Sequence, residues 1–129
     1  MLKAQRLSVF TFRGRIDRAS FWTMIGAVVV ATIAIITVVA MVVPNTQATR
    51  VNPGSPSWAM LVLGLVYLLA LWLSAATYAK RLHDLDLSGW IALMVFIPVV
   101  NLILLIYCGA KPGTVGPNRF GSGPMRVSL

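Results

Sequence analysis

The sequence contains few charged residues and no glutamate. Only 11% of its 129 residues are charged, whereas 58% are hydrophobic. An ordinary soluble domain has roughly 25% charged residues, so a soluble fold of this composition could not cover its surface with polar groups. The composition therefore predicts that the solvent of this protein is a lipid bilayer.

Metal ligands and disulfide partners are also scarce. The chain has one cysteine, one histidine and three acidic residues, all of them aspartates. A single cysteine cannot form an internal disulfide bond, and a zinc site requires about four N, S or O ligands in close geometry. The acid count also excludes a di-metal carboxylate site within one chain. We expect no metal and no cofactor.

Basic residues are the one abundant class of charge, and the net charge is +8. A basic chain can indicate nucleic-acid binding, but these cations do not form one stripe on a globular surface. They lie beside apolar runs, which is typical of contact with anionic headgroups and of the positive-inside rule. The predicted partners are the lipid bilayer and its anionic lipids, and no nucleic acid.

Three apolar runs predict membrane helices within a single domain, residues 1–129. Residues 21–43 and 58–79 carry no charge over 23 and 22 residues. Helices of that length rise about 33 Å, enough to cross the ~30 Å hydrocarbon core. The third run is 90–108. The other segments are a basic N-terminus (1–20), a polar loop (44–57), a polar turn (80–89) and an irregular tail (109–129).

Pro98 and Asn101 interrupt the third run. Pro98 removes a backbone donor and clashes with the preceding turn, and Asn101 places a polar group nearby. A kinked full crossing is one interpretation, and a re-entrant hairpin with its tip at 98–101 is the other. Re-entrant backbone needs surrounding protein, and two helices offer little, so the kinked crossing is slightly favoured. Either way, the fold class is an all-α integral membrane protein of three apolar helical segments, the third kinked or broken at Pro98.

The distribution of basic residues predicts the orientation. With three full crossings, the N-terminus and the 80–89 turn share a side that holds seven basic residues against four. With a re-entrant third segment the ratio is ten to one, and Arg50 alone lies opposite. Both counts place the N-terminus in the cytoplasm. Aromatic rings that prefer the headgroup region mark ends of the runs as interface anchors: Trp22, Trp58, Trp90 and Tyr107.

Three polar clusters flank the apolar runs, at residues 10–22, 80–90 and 113–124. Because arginine forks bind phosphate bidentately, the cations are predicted to contact lipid or a partner protein: Arg13, Arg15, Arg18, Lys80, Arg81 and Arg119. A second set is predicted to hold local structure, with Asp17 as the N-cap of the first helix: Asp17, His83, Asp84, Ser88, Gly89 and Asn118.

His83 and Asp84 are the strongest candidates for a catalytic pair. Adjacent residues of a helix point to different faces, whereas Arg81 and Asp84, three apart, can pair on one face. We therefore expect an ion pair that holds the turn, formed by Asp84 with Arg81 or with an arginine of the first cluster. Asn118 and the rest of the third cluster join them only if the third segment is re-entrant. No catalytic residue is assigned.

In these clusters the chain resembles the small bacterial inner-membrane proteins grouped as domain of unknown function 805. The matching residues lie in order along nearly the whole chain: Phe12, Gly14, Arg15, Arg18, Phe21 and Trp22; Arg81, Leu82, His83, Asp84, Ser88, Gly89 and Trp90; Ile97 and Pro98; and Gly113, Gly116, Asn118, Arg119, Phe120, Gly121 and Pro124. Lys80, Ser20 and Asp86 depart from the pattern, standing where an arginine, an acid and a glycine are frequent.

The resemblance implies a multi-pass protein of the bacterial plasma (inner) membrane. It brings no activity, because that family has none assigned. The leading hypothesis is a non-enzymatic membrane protein that binds anionic lipid headgroups or a membrane-protein partner through the arginine-rich clusters. The alternative is a subunit of an oligomeric transporter or channel, formed by self-association around Pro98 and Asn101.

Overall fold

The computed structural model describes residues 9–42 and 58–125. Four helices make up the described part: α1 (Arg18–Val42), α2 (Trp58–Asp84), a 3₁₀ helix (Gly89–Phe96) and α3 (Pro98–Ala110). The predicted loop 44–57 with Arg50 lies outside the described residues. So do Val43, the predicted end of the first helix, and both chain ends (1–8 and 126–129).

The first helix begins at Arg18, three residues before the predicted start at Phe21. Asp17 explains the difference, because its Oδ1 accepts a hydrogen bond from the amide of Ser20 at 2.9 Å. This bond satisfies one of the amides that have no partner at a helix N-terminus. The predicted N-cap role of Asp17 is confirmed.

The second helix continues five residues beyond its predicted end at Ala79. It ends in a Schellman motif, in which Leu87 donates to the carbonyl of Leu82 at 2.8 Å and Asp86 to that of His83 at 3.1 Å. Asp86 has φ 59°, a left-handed conformation that Gly adopts most readily and Asp tolerates. The predicted polar turn 80–89 is thus helical in its first half.

The third apolar run forms a re-entrant hairpin. Its 3₁₀ arm rises about 16 Å and α3 about 20 Å, so each arm reaches roughly half of the ~30 Å hydrocarbon core. The chain leaves and returns at the same end of α2, where the amide of Thr114 donates to the carbonyl of Asp84 at 2.8 Å. The slightly favoured interpretation of a single kinked crossing is therefore wrong.

Only Ile97 separates the 3₁₀ helix from α3 at the hairpin tip. Its backbone N–H and C=O groups both have hydrogen-bond partners. The amide of Ile97 donates to Met94 at 3.0 Å, and its carbonyl accepts from the amide of Asn101 at 2.8 Å. Pro98 occupies the first turn of α3, where its missing N–H removes a donor that would have had no partner. Because helical bonds continue up to the break, little protein is needed to cover it.

The buried core is concentrated at the end of the bundle where the hairpin lies. It is formed by side chains from all helices and from the segment before α1: Ile16, Phe21, Met24, Ala75, Tyr78, Ala79, Leu82, Leu85, Ala92, Val95, Leu104 and Cys108. Both long helices are apolar enough to cross a membrane, yet only 6% and 17% of their most apolar windows are buried. Their exposed apolar faces suit a lipid environment.

A hydrogen bond between two side chains connects α3 with the core. The hydroxyl of Tyr78 donates to Oδ1 of Asn101 at 3.0 Å, which ties α3 to α2. Hydrogen bonds between membrane helices contribute about 0.6 kcal/mol on average and up to roughly 1.7.

We predict that Tyr78→Phe lowers the thermal unfolding midpoint in detergent slightly. Tyr67→Phe is the matched control, because Tyr67 lies on the same helix and is exposed; equal midpoints would show that the bond contributes nothing.

Candidate functional site

Asp84, the last residue of α2, is the centre of a buried polar cluster. Nε and Nη2 of Arg15 donate to Oδ1 of Asp84 at 3.1 and 3.0 Å, and Nη1 of Arg81 donates to Oδ2. Arg15, Arg81 and Asp84 are 1%, 0% and 2% exposed, respectively. The expected pairing of Asp84 with an arginine is confirmed, and both candidate arginines take part. We call Arg15, Arg81, Asp84, Thr114 and Asn118 the Asp84 cluster.

Arg15 also binds the tail that follows α3. Its Nη1 donates to the carbonyls of Gly116 and Gly121 at 2.8 and 3.1 Å, and its Nη2 donates to the carbonyl and hydroxyl of Thr114 at 2.8 and 3.0 Å. The hydroxyl of Thr114 in turn donates to the carbonyl of Asp84 at 2.9 Å. The predicted irregular tail is therefore folded over the buried ion pairs.

Asn118 shapes the turn of this tail. Its Nδ2 donates to the carbonyl of His83 at 2.8 Å and to the hydroxyl of Thr114 at 2.9 Å. Its Oδ1 accepts from the amide of Phe120 at 2.9 Å, an Asx turn. The backbones of Asn118 and Gly121 exchange two hydrogen bonds, at 3.0 and 3.1 Å. Asn118 thus joins the second and third polar clusters, as expected for a re-entrant segment.

Gly113 permits the tail to pass directly over the carboxylate. A Cβ at this position would overlap the side chain of Asp84. Any other residue would therefore have to displace Asp84 from its two arginines or move the tail away from them.

The C-terminus of α3 is bound by side chains of the two long helices. The last carbonyls of a helix have no partner within it. The donors are Arg81 Nε to Cys108 at 2.9 Å, Trp22 Nε1 to Gly109 at 3.4 Å and Arg18 Nη1 to Ala110 at 3.3 Å. Two of the three donors are cations, which also interact favourably with the negative end of the helix dipole.

His83 takes a different direction from its neighbour Asp84. Its Nδ1 lies 3.2 Å from the carbonyl of Gly14, and its ring stacks on Phe120 with centroids 4.0 Å apart and planes 10° apart. Because a carbonyl only accepts hydrogen bonds, Nδ1 carries the proton in this arrangement. The two neighbours have different partners, so the arrangement does not form a His–Asp dyad.

Burial overturns part of the predicted contact surface. Arg15, Lys80 and Arg81 are at most 1% exposed, so they face the protein interior and cannot contact headgroups or a partner in this conformation. Among the described residues, no buried side-chain nitrogen or oxygen lacks a hydrogen-bond partner. The buried polar atoms of the Asp84 cluster are therefore bonded within the protein. Within the described ranges, no group of three His, Cys, Asp or Glu side chains is close enough together to hold a metal ion.

The other predicted contact residues do lie on the surface. Arg13 and Arg18 are exposed. Arg119 is also exposed, pairs with Asp86 at 3.2 Å and lies 4.8 Å from the centroid of the Phe120 ring. Lys111, which was assigned no role from the sequence, is exposed beside them and donates to the hydroxyl of Tyr107 at 2.6 Å. We call these four cations the basic collar.

The remaining predicted residues have simple positions. Ser88 precedes the 3₁₀ helix without capping it through its side chain, and Gly89 lies so close to His83 that a Cβ would be 2.7 Å from Nε2. The four predicted interface anchors have exposed rings: Trp22, Trp58, Trp90 and Tyr107. Their contact with headgroups stays a prediction.

Sequence reasoning gave no role to several residues that complete the site. Thr114 bonds both Arg15 and Asp84, and Phe120 stacks on His83. Both belong to the third polar cluster, and that is the one sequence signal that could have found them. Their contacts join residues about 30 to 100 positions apart, which no local pattern predicts.

Two long apolar helices, a re-entrant hairpin and a polar cluster buried at one end define a small helical membrane protein. The chain belongs to the family described as protein of unknown function DUF805, whose model matches residues 9–122. The resemblance noted in the sequence is thereby confirmed.

Three relatives come from Escherichia coli (strain K12). The inner membrane protein YhaH is 30% identical over 113 residues, which cover 88% of this chain and 86% of YhaH. The inner membrane protein YhaI is 33% identical over 116 residues, covering 88% and 85%. The uncharacterized protein YiiR is 28% identical over an alignment of 144 residues, covering 92% and 89%. No solved structure gives a significant match.

The buried ion pairs predict a large difference between two nearby aspartates. Asp84→Ala leaves two buried guanidinium groups without their carboxylate, and breaking a buried pair costs about 3–5 kcal/mol. Asp86→Asn is the control, because Asn tolerates the left-handed φ of 59° at this position and the pair with Arg119 that it weakens is exposed; such pairs contribute about 0–1 kcal/mol. Thermal unfolding in detergent should show a much lower midpoint for Asp84→Ala. Equal midpoints would mean that the Asp84 cluster does not hold the fold.

Proposed function

We propose that this protein is a non-enzymatic membrane component that binds anionic lipid headgroups through the basic collar. The observation that carries the proposal is the placement of four exposed cations, Arg13, Arg18, Lys111 and Arg119, around one end of the bundle. Each lysine or arginine near an anionic surface contributes about 1 kcal/mol of attraction. Two acids reach the surface at this end among the residues that the structure describes. Asp86 is exposed and Asp17 is half-buried.

Exposed aromatic rings beside the collar support the same proposal. Trp22 donates to a carbonyl at the end of α3, and Tyr107 accepts from Lys111. Trp90 begins the hairpin and is 80% exposed. Trp and Tyr prefer the headgroup region, so rings at the level of the collar support a position of the collar beside the phosphates.

Among the described residues, no contact specifically favours the alternative hypothesis of a transporter or channel subunit. The hypothesis relied on Asn101 as a polar group within the membrane. Oδ1 of Asn101 accepts from Tyr78, as is common for a polar side chain between membrane helices.

The first test measures the lipid preference. The double substitution Arg13→Gln and Arg18→Gln removes about 2 kcal/mol of attraction, so the ratio of anionic to zwitterionic lipid retained should fall by up to about thirty-fold. Native mass spectrometry of the protein from nanodiscs of phosphatidylglycerol and phosphatidylethanolamine measures this ratio. Arg50→Gln makes the same kind of charge change in the 44–57 loop and should leave it unaltered. An unchanged ratio in the double variant would refute the proposal.

The collar also makes the orientation testable. All seven basic residues of the described chain lie at the end that holds the Asp84 cluster, and the positive-inside rule predicts that this end is cytoplasmic. Ser122→Cys, exposed in the tail, should therefore resist impermeant thiol reagents in intact cells and react after permeabilisation. Thr46→Cys, in the loop predicted for the opposite side, should react in intact cells. The reverse pattern would invert the orientation.

A further inference from the structure

An apolar groove runs along α2 between the N-terminal segment and the 3₁₀ helix. Its volume is about 620 Å³, within the roughly 300–1,000 Å³ of small-molecule sites. Residues of α2 from Leu68 to His83 form the floor, Phe12 lies on one side and Trp90 on the other. Phe12 is held there by an edge-to-face contact with Trp72, whose centroid is 5.0 Å away.

The length of the groove matches the depth of one leaflet. Leu68 and His83 are fifteen residues apart on a continuous helix, so the groove extends about 22 Å along it. A bilayer with its headgroups is about 40–45 Å thick, which gives each leaflet roughly the same 22 Å. A single lipid molecule in the leaflet beside the basic collar therefore spans the groove from end to end.

The polar end of the groove has the chemistry of a headgroup site. His83 and Ser88 line it. With Nδ1 of His83 donating to Gly14, its Nε2 is left as an acceptor. No hydrogen bond among the described residues engages Nε2 or the hydroxyl of Ser88. Arg119 lies against Phe120 at the same end. Its Nε and Nη2 bind Asp86, and its Nη1 is placed to bind a phosphate.

We propose that the groove binds one glycerophospholipid, with an acyl chain between Phe12 and Trp90 and the phosphate beside Ser88 and Arg119. This inference rests on the proposed lipid-binding function and gives it a site. Nε2 of His83 accepts from a hydroxyl or ammonium of the headgroup. The rest of the lipid surface of α1 and α2 contacts only bulk lipid.

Photolabelling tests this directly. The full chain is reconstituted in vesicles of phosphatidylethanolamine and phosphatidylglycerol that contain a phospholipid with a diazirine on its acyl chain. Labelled residues are mapped by mass spectrometry. The groove residues should be labelled several-fold more than Val30 and Val38, which are 68% and 60% exposed on α1. Equal labelling of the two surfaces, or crosslinks to a second copy in the groove, would overturn the proposal.

Two matched variants add a second readout. Leu71→Trp fills the groove about one helical turn from its Leu68 end and should lower the labelling there several-fold. Leu69→Trp makes the same change on an exposed face of α2 outside the groove and should not. Equal groove labelling in both variants would contradict the site.

Probes with zwitterionic and anionic headgroups separate this inference from the proposed function. The groove proposal fails if groove labelling is not enriched with either probe, even where the anionic lipid is still preferred overall. The collar proposal fails if that preference is absent, even where the groove is labelled.

Discussion

The fold depends on one carboxylate shared between two buried arginines. Asp84 accepts from Arg15 with one oxygen and from Arg81 with the other, so a residue before α1 and a residue of α2 are fixed to the same point. Burying two guanidinium groups with one carboxylate is unfavourable unless the remaining N–H groups are also satisfied. Here backbone carbonyls satisfy them, from Ile16, Cys108, Lys111, Thr114, Gly116 and Gly121. The charge cluster thereby recruits the tail and the end of α3, since their carbonyls complete its hydrogen bonds.

The re-entrant hairpin follows from that requirement. A hairpin that enters only half of the bilayer has few apolar contacts, and both its ends must be held at one membrane face. Arg81 holds the C-terminal end of α3 through Cys108, while Gly89 at the other end packs against His83, one residue from Asp84. The tip needs less support, because the 3₁₀ and α-helical bonds continue to either side of Ile97. The polar cluster therefore substitutes for the protein cover that re-entrant segments generally need.

The sequence predicted the parts that local physics determines. Uncharged runs of spanning length located α1 and α2, Asp17 was predicted to cap α1, and spacing on a helix predicted the Arg81–Asp84 pair. It missed the burial of Arg15, Lys80 and Arg81 and slightly favoured a kinked crossing over the re-entrant path. Hydropathy treats an arginine at a helix end as a residue that faces headgroups, whatever lies opposite. Whether it is buried instead depends on acceptors such as Thr114, 99 residues from Arg15, and on a tail whose glycines and polar residues predict only irregular structure.

The same contacts divide the polar motifs into two functions. Within the first cluster Arg15 is buried while Arg13 and Arg18 are exposed, and in the second Asp84 is buried while Asp86 is exposed. Charged residues of the same motif therefore have different environments. The buried ones are bonded within the protein, and the exposed ones face the surroundings. A buried charge whose nitrogen or oxygen atoms are each bonded within the protein cannot recognise a ligand without rearrangement of the site around it. Loss of function after a change at Arg15 or Asp84 would thus report a lost fold, whereas the proposed lipid contacts are tested by changes at the basic collar and the apolar groove.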